Sequence, residues 1–107
     1  MLLIYVPCKN EDEAKKIGSI LVEERLVCCA NIIPKMDSLY IENEKVKETG
    51  EALLLMKTIA NYEIVRKRVE ELHSYEVPAI AAFDLAEINH SYNEWAISVQ
   101  KKKGVYP

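Results

Sequence analysis

Residues 26–58 constrain this chain more than any other stretch. Residues 26–41 read L-V-C-C-A-N-I-I-P-K-M-D-S-L-Y-I and residues 45–58 read K-V-K-E-T-G-E-A-L-L-L-M-K-T. Both are rich in branched, aromatic and threonine side chains that suit a pleated strand. The polar Glu42-Asn43-Glu44 between them has the length of a hairpin turn. An unbroken arm of about fifteen residues would reach roughly 50 Å at ~3.3 Å per residue. A compact domain of this size has a radius of gyration near ~13 Å, so its own body cannot cover such an arm. A second copy of the chain is the simplest cover. Pro34 predicts an edge position or a bulge in the first arm, with Gly50 as its counterpart in the second.

The chain of 107 residues is long enough for a single domain, residues 1–107, with one modest core. Its net charge of −3 argues against a nucleic-acid partner, which calls for a basic surplus. The basic run Lys101-Lys102-Lys103 suits a solvated helix end. No apolar stretch approaches the ~20 residues of a membrane span, and the short apolar start has neither the basic lead nor the cleavage site of a signal peptide. The expectation is therefore a cytoplasmic protein with no membrane partner. Three cysteines, Cys8, Cys28 and Cys29, make no disulfide framework and fit a reducing compartment. On a strand, Cys28 and Cys29 would point to opposite faces and would not share one ion within a chain.

Residues 2–8 are nearly all apolar and predict a central strand covered on both faces. Asn10 with Glu13 three residues on predicts a helix start, followed by an apolar face of Ala14, Ile17, Gly18, Leu21 and Val22. Gly18 inside that helix implies a close approach to the sheet. Asn61 opens a second helix reaching His73, with Tyr62, Val65, Val69 and Leu72 inward. Residues 74–78 form a loop, because Val77 precedes a proline. Residues 79–88 predict a mostly buried fourth strand. Asn89 or Ser91 caps a third helix carrying Tyr92, Trp95, Ala96 and Val99, ended by Gly104, with Val105-Tyr106 as a short last strand. The order β-α-β-β-α-β plus a helix is the α+β, ferredoxin-like plan with a long hairpin between its second and third strands. That plan hosts many functions and selects none.

Catalytic constellations are absent from the sequence. Three scattered glycines cannot cradle a phosphate, and no paired C-x-x-C zinc motif occurs. A cysteine with His73 would be a nucleophile pair lacking an orienting partner, so no enzymatic activity is expected. Cys8 and Cys28 suit the role of small buried hydrophobes. The stretch H-S-Y-E-V-P at 73–78 gathers an imidazole, a phenol and a carboxylate at a helix-to-strand junction, where binding residues concentrate. The plainer alternative is that His73 caps the helix and Tyr75 packs on the core.

The blocks E-E-R-L-V-C-C-A-N-I-I-P (23–34), L-L-L-M-K-T (53–58), H-S-Y-E-V-P (73–78) and Tyr92-x-x-Trp95 resemble the CutA family of divalent-cation tolerance proteins, in order and spacing across almost the whole chain. The resemblance implies a ferredoxin-like homotrimer in which the hairpin arms of one subunit extend the sheet of the next. It implies a role in tolerance to divalent metal ions, with copper as the associated ion; because one chain supplies few ligands, weak copper binding is expected, with no cofactor required for folding. It also implies an architecture like that of trimeric PII-type signalling proteins. The alternative function is accordingly a small-ligand-binding or signalling module with a cleft between subunits. Cys29 matches the family's strand cysteine, Asn31 its nearby asparagine, Lys57 the lysine closing the hairpin, and His73, Tyr75, Glu76 and Pro78 its H-x-Y-E-x-P block. Cys29 and His73 are the expected metal ligands, completed across subunits or by water. Asn31, Lys57, Tyr75 and Glu76 are the expected ligand-cleft residues. Ala79 stands where family members commonly carry a glutamate that is a candidate ligand, and Tyr40-Ile41-Glu42-Asn43-Glu44 replaces the usual tryptophan- and glycine-bearing hairpin tip.

Overall fold

Strand β1 (Leu2–Cys8) runs through the middle of the sheet. Ile4, Val6 and Cys8 are buried toward the helices, while Leu3, Tyr5 and Pro7 on the other face are only half-buried. Cover on both faces, expected from the sequence, is thus met on one face within the chain. A computed structural model describes residues 1–101; Lys102, Lys103, Gly104 and Val105-Tyr106 lie outside the described residues. After β1 come α1 (Glu11–Glu23), β2 (Cys29–Glu42), β3 (Lys45–Thr58), α2 (Tyr62–Leu72), β4 (Ala81–Asp84) and α3 (His90–Gln100). The sheet order β2-β3-β1-β4 is antiparallel throughout, with the split crossovers that the sequence order implied.

Helix α1 starts as read. Asn10 accepts a hydrogen bond from the Glu13 N–H at 2.9 Å, and three acids occupy its first turn. It stops on a Schellman motif built around Arg25, which sits at φ 64° where glycine is usual. The Arg25 N–H reaches the Val22 carbonyl and the Leu26 N–H reaches the Leu21 carbonyl, both at 3.0 Å. This turns the chain so that Leu26 and Val27 enter the core beside Ile17, Leu21, Leu54 and Met56. Gly18 is where α1 meets the sheet: a Cβ there would lie 3.0 Å from the Ala30 Cβ. Val22, expected on the inner face, is instead exposed.

Strands β2 and β3 pair along their whole length, with one register shift between Ile33 and Met36, where Pro34 removes a ladder donor. Gly50 pairs with Asp37, beyond the bulge rather than opposite it. The turn itself is only Asn43-Glu44, both at positive φ (52° and 64°), the primed geometry whose twist matches the strands. The molecule measures 47 × 27 × 22 Å with a radius of gyration of 14.7 Å, stretched by the hairpin.

Strand β4 departs from expectation. It spans four residues, not ten, and all four are exposed. Among the described residues it is an edge strand paired only with β1, and none of them covers its outer side. Helix α3 docks at the hairpin base through Gln100, which is fully buried and fully bonded. Its amide nitrogen donates to the Thr58 hydroxyl (3.0 Å) and the Arg25 carbonyl (3.3 Å), and its carbonyl oxygen accepts from the Ile59 N–H (2.8 Å).

Candidate functional site

Two clusters of reactive side chains sit at opposite ends of β1. The first gathers at the base of the hairpin, where Cys29 pairs with Lys57 in the sheet. The Tyr92 hydroxyl, delivered by α3, donates to Cys29 Sγ at 3.3 Å and also lies 3.9 Å from Cys28 Sγ. Lys57 Nζ donates to Asn31 Oδ1 at 3.4 Å and stands 5.5 Å from the centre of the Tyr92 ring. Burial pushes the Cys29 thiol up, but the Tyr92 hydroxyl and the Lys57 ammonium and backbone outweigh it and bring the thiol below its ordinary value. Cys28 is buried and its thiol is pushed up by that burial; it donates to the Lys57 carbonyl at 3.3 Å. Cys29 is therefore the more accessible thiol, held below its ordinary value, and Cys28 the buried one pushed above it.

The expectation that Cys28 and Cys29 face apart is corrected here. Strand β2 begins at Cys29, so Cys28 lies in the irregular link before it, where strict alternation does not hold. Both sulfurs reach the same hydroxyl.

The second cluster joins α1 to the loop after α2. Ligand-type atoms of Cys8, Glu13 and His73 all lie within 4.8 Å of one another, and all three residues are buried. Their hydrogen bonds explain the arrangement without an ion. Glu13 Oε1 and Oε2 accept from the Lys9 and Ser74 N–H groups, each at 2.9 Å. His73 Nε2 donates to the Pro7 carbonyl at 2.8 Å, so Nδ1 is the acceptor for the Tyr75 N–H at 3.1 Å. Burial, with the Glu13 and Glu51 charges, pushes the Cys8 thiol up to about 12, keeping it neutral. His73 is also the helix C-cap, its own N–H bonded to Val69.

The expected metal pair Cys29 and His73 does not form within one chain. Cys29 is level with Leu3 through Lys57, and His73 with Pro7. Four residues of strand separate the levels, roughly 13 Å, and both His73 ring nitrogens are already engaged. Within one chain the residues expected at a cleft between subunits fall in two places. Asn31 and Lys57 belong to the Cys29 cluster. Tyr75 instead donates to Glu51 Oε2 at 2.6 Å, with the Ser38 hydroxyl on Oε1. Burial and that carboxylate push the Tyr75 phenol well above its ordinary value. Glu76 is exposed. Tyr75 and Glu51, with Tyr40, Val77 and Ala79, line an open groove of about 720 Å³ between the hairpin and the loop. Glu51 went unnoticed in the sequence, and Glu13 was read only as a helix-start residue, because their partners Tyr75 and Ser74 are 24 and 61 residues away.

A family model described as CutA1 divalent ion tolerance protein matches residues 2–99. The chain belongs to this family. The divalent-cation tolerance protein CutA of Thermus thermophilus is 43% identical over 96 residues, covering 89% of this chain and 91% of that protein. The crystal structure of CutA1 from Pyrococcus horikoshii superposes with a TM-score of 0.88 at 32% identity, covering 95% of this chain and all of that one. A structure from Archaeoglobus fulgidus, described as a periplasmic divalent cation tolerance protein CutA, superposes with a TM-score of 0.88 at 26% identity, covering 94% of this chain and 100% of that one. No helix among the described residues is long and apolar enough to cross a membrane.

Proposed function

We propose that the chain acts as a homotrimer in divalent metal-ion tolerance, holding copper weakly at Cys29, as a non-enzymatic protein of the cytoplasm. The observation that carries this reading is Cys29 itself. It is half-exposed, its thiol is held below its ordinary value, and it stands beside a lysine and a phenol, the setting in which a cysteine takes up soft metal ions. Three free thiols suit a reducing compartment. The membership of a metal-tolerance family favours this over a PII-type module. Folding needs no ion in this reading, because the core around Ile4, Ile17, Leu54 and Val69 closes on apolar contacts alone.

The test is copper titration under reducing conditions of the native chain, Cys29→Ser and His73→Ala. Cys29→Ser should lose most of the binding, whereas His73→Ala should keep it and lose thermal stability, since its ring holds Pro7 and Tyr75. Equal binding by Cys29→Ser and the native chain would remove Cys29 from the reading. Treatment with a chelator should leave the circular dichroism spectrum unchanged.

A further inference from the structure

We propose that Cys28 and Cys29 together form a two-thiolate site for a monovalent soft metal ion, reduced copper above all, with the Tyr92 hydroxyl and the Lys57 ammonium as its surroundings. The proposal deepens the copper reading above by naming the second ligand and the oxidation state. It starts from geometry. One hydroxyl lies 3.9 Å from one sulfur and 3.3 Å from the other, so the sulfurs are at most about 7 Å apart. Rotation about the Cys29 side chain, which is half-exposed, is free to shorten that distance; Cys28 is buried and held.

A disulfide is not the natural use of this pair. Adjacent residues across a trans peptide have their Cα atoms ~3.8 Å apart, below the ~4.4 Å at which ordinary disulfides begin. A metal ion spans the two sulfurs without that constraint. Donor type and charge then select the ion. The site offers two soft sulfurs and, among the described residues, the neutral oxygens of Tyr92, Asn31 and the Lys57 carbonyl. A hard divalent ion asks for more oxygen ligands than these, whereas monovalent copper is satisfied by two thiolates. Two thiolates, a monovalent ion and the Lys57 ammonium sum to zero charge, which a partly buried site requires. On binding, each sulfur gives up its remaining proton to solvent, and Cys28 releases its hydrogen bond to the Lys57 carbonyl. The Cys8, Glu13 and His73 cluster offers no comparable site, because its carboxylate and imidazole are committed to backbone partners and its thiol is neutral.

The experiment supplies monovalent copper without oxygen to the full chain in competition with graded amounts of a weak copper(I)-binding chelator. Copper-edge X-ray absorption of the native protein is recorded alongside. The native chain should withhold one copper per subunit and show two sulfur neighbours. Cys28→Ala should bind at least tenfold more weakly and show one. If Cys28→Ala competes as well as the native chain, or the native spectrum shows a single sulfur, Cys28 is not a ligand. The inference then fails while copper at Cys29 stands. If the native chain yields all its copper to the chelator, as Cys29→Ser does, both readings fall. Should Cys28→Ala fail to fold, the sulfur count of the native protein decides alone.

Discussion

Glu13 carries more of this structure than its place in a helix N-terminus suggests. Its two oxygens satisfy the N–H groups of Lys9 and Ser74, tying the start of α1 to the loop after α2. Burial raises its pKa, but hydrogen bonds from the Ser74 hydroxyl and from these N–H groups outweigh burial and hold it below its ordinary value of 4.5. A carboxylate held low stabilises the fold above that ordinary value, and the contribution is lost as pH falls through the lowered one. Glu13→Gln should therefore cost about 1–3 kcal/mol at pH 7, since an amide nitrogen cannot accept the second N–H. The deficit should shrink as the pH drops below about 4.5 and the native side chain is protonated. Thermal melts of both proteins across pH 3–7 check this; a deficit unchanged by pH would assign the loss to packing. At this scale the sequence was legible only locally. Asn10 and Glu13 show helix-start spacing, yet the Glu13 side chain spans 61 residues to Ser74. Cys28 was misplaced because its position one residue before β2 cannot be read from strand periodicity.

At the scale of elements the sequence was clearer, because period and punctuation are local properties. The hairpin, its bulge at Pro34, and the close approach at Gly18 all follow from residue type. Strand β4 was overextended because residues 79–88 are apolar for reasons other than strand burial: Phe83 lies on the open face, edge-on to Tyr5 at 6.5 Å. Two substitutions test the elements. Gly18→Ala would gain ~1 kcal/mol in an exposed helix. Here its Cβ would press on Ala30 at 3.0 Å and Leu54 at 3.2 Å, so a net loss of about 1 kcal/mol is expected. A higher unfolding midpoint in urea would show that α1 simply lifts. Glu44→Gly should act in the opposite sense. Glu44 sits at φ 64°, which glycine adopts without cost. Stabilisation of roughly 0.5–1 kcal/mol is expected, and urea unfolding of the purified variant would measure it.

At the scale of the whole molecule, the outer half of the hairpin lacks a partner among the described residues. Leu39 is 65% exposed, and Ile41 and Val46, which pair across the ribbon, are each 67% exposed. A two-stranded ribbon is marginal in water by itself, and an uncovered apolar one invites aggregation. The body of the same chain offers a matching deficit: a sheet face with half-buried Leu3 and Tyr5, and Phe83 55% exposed at the β4 edge. Ribbon on body is a contact between two different surfaces, which must close into a ring to remain soluble. Three-fold closure is what the family resemblance implies. The native chain should therefore sediment as a single trimeric species at micromolar concentration. Leu39→Arg combined with Ile41→Arg should abolish that species, because two unpaired charges cannot be buried against an apolar face. The double variant should keep the helices and the inner half of the sheet, since the core lies entirely within one chain. A native chain that sediments as a folded monomer, or a double variant that remains a trimer, would show that the ribbon is not the element that joins the subunits.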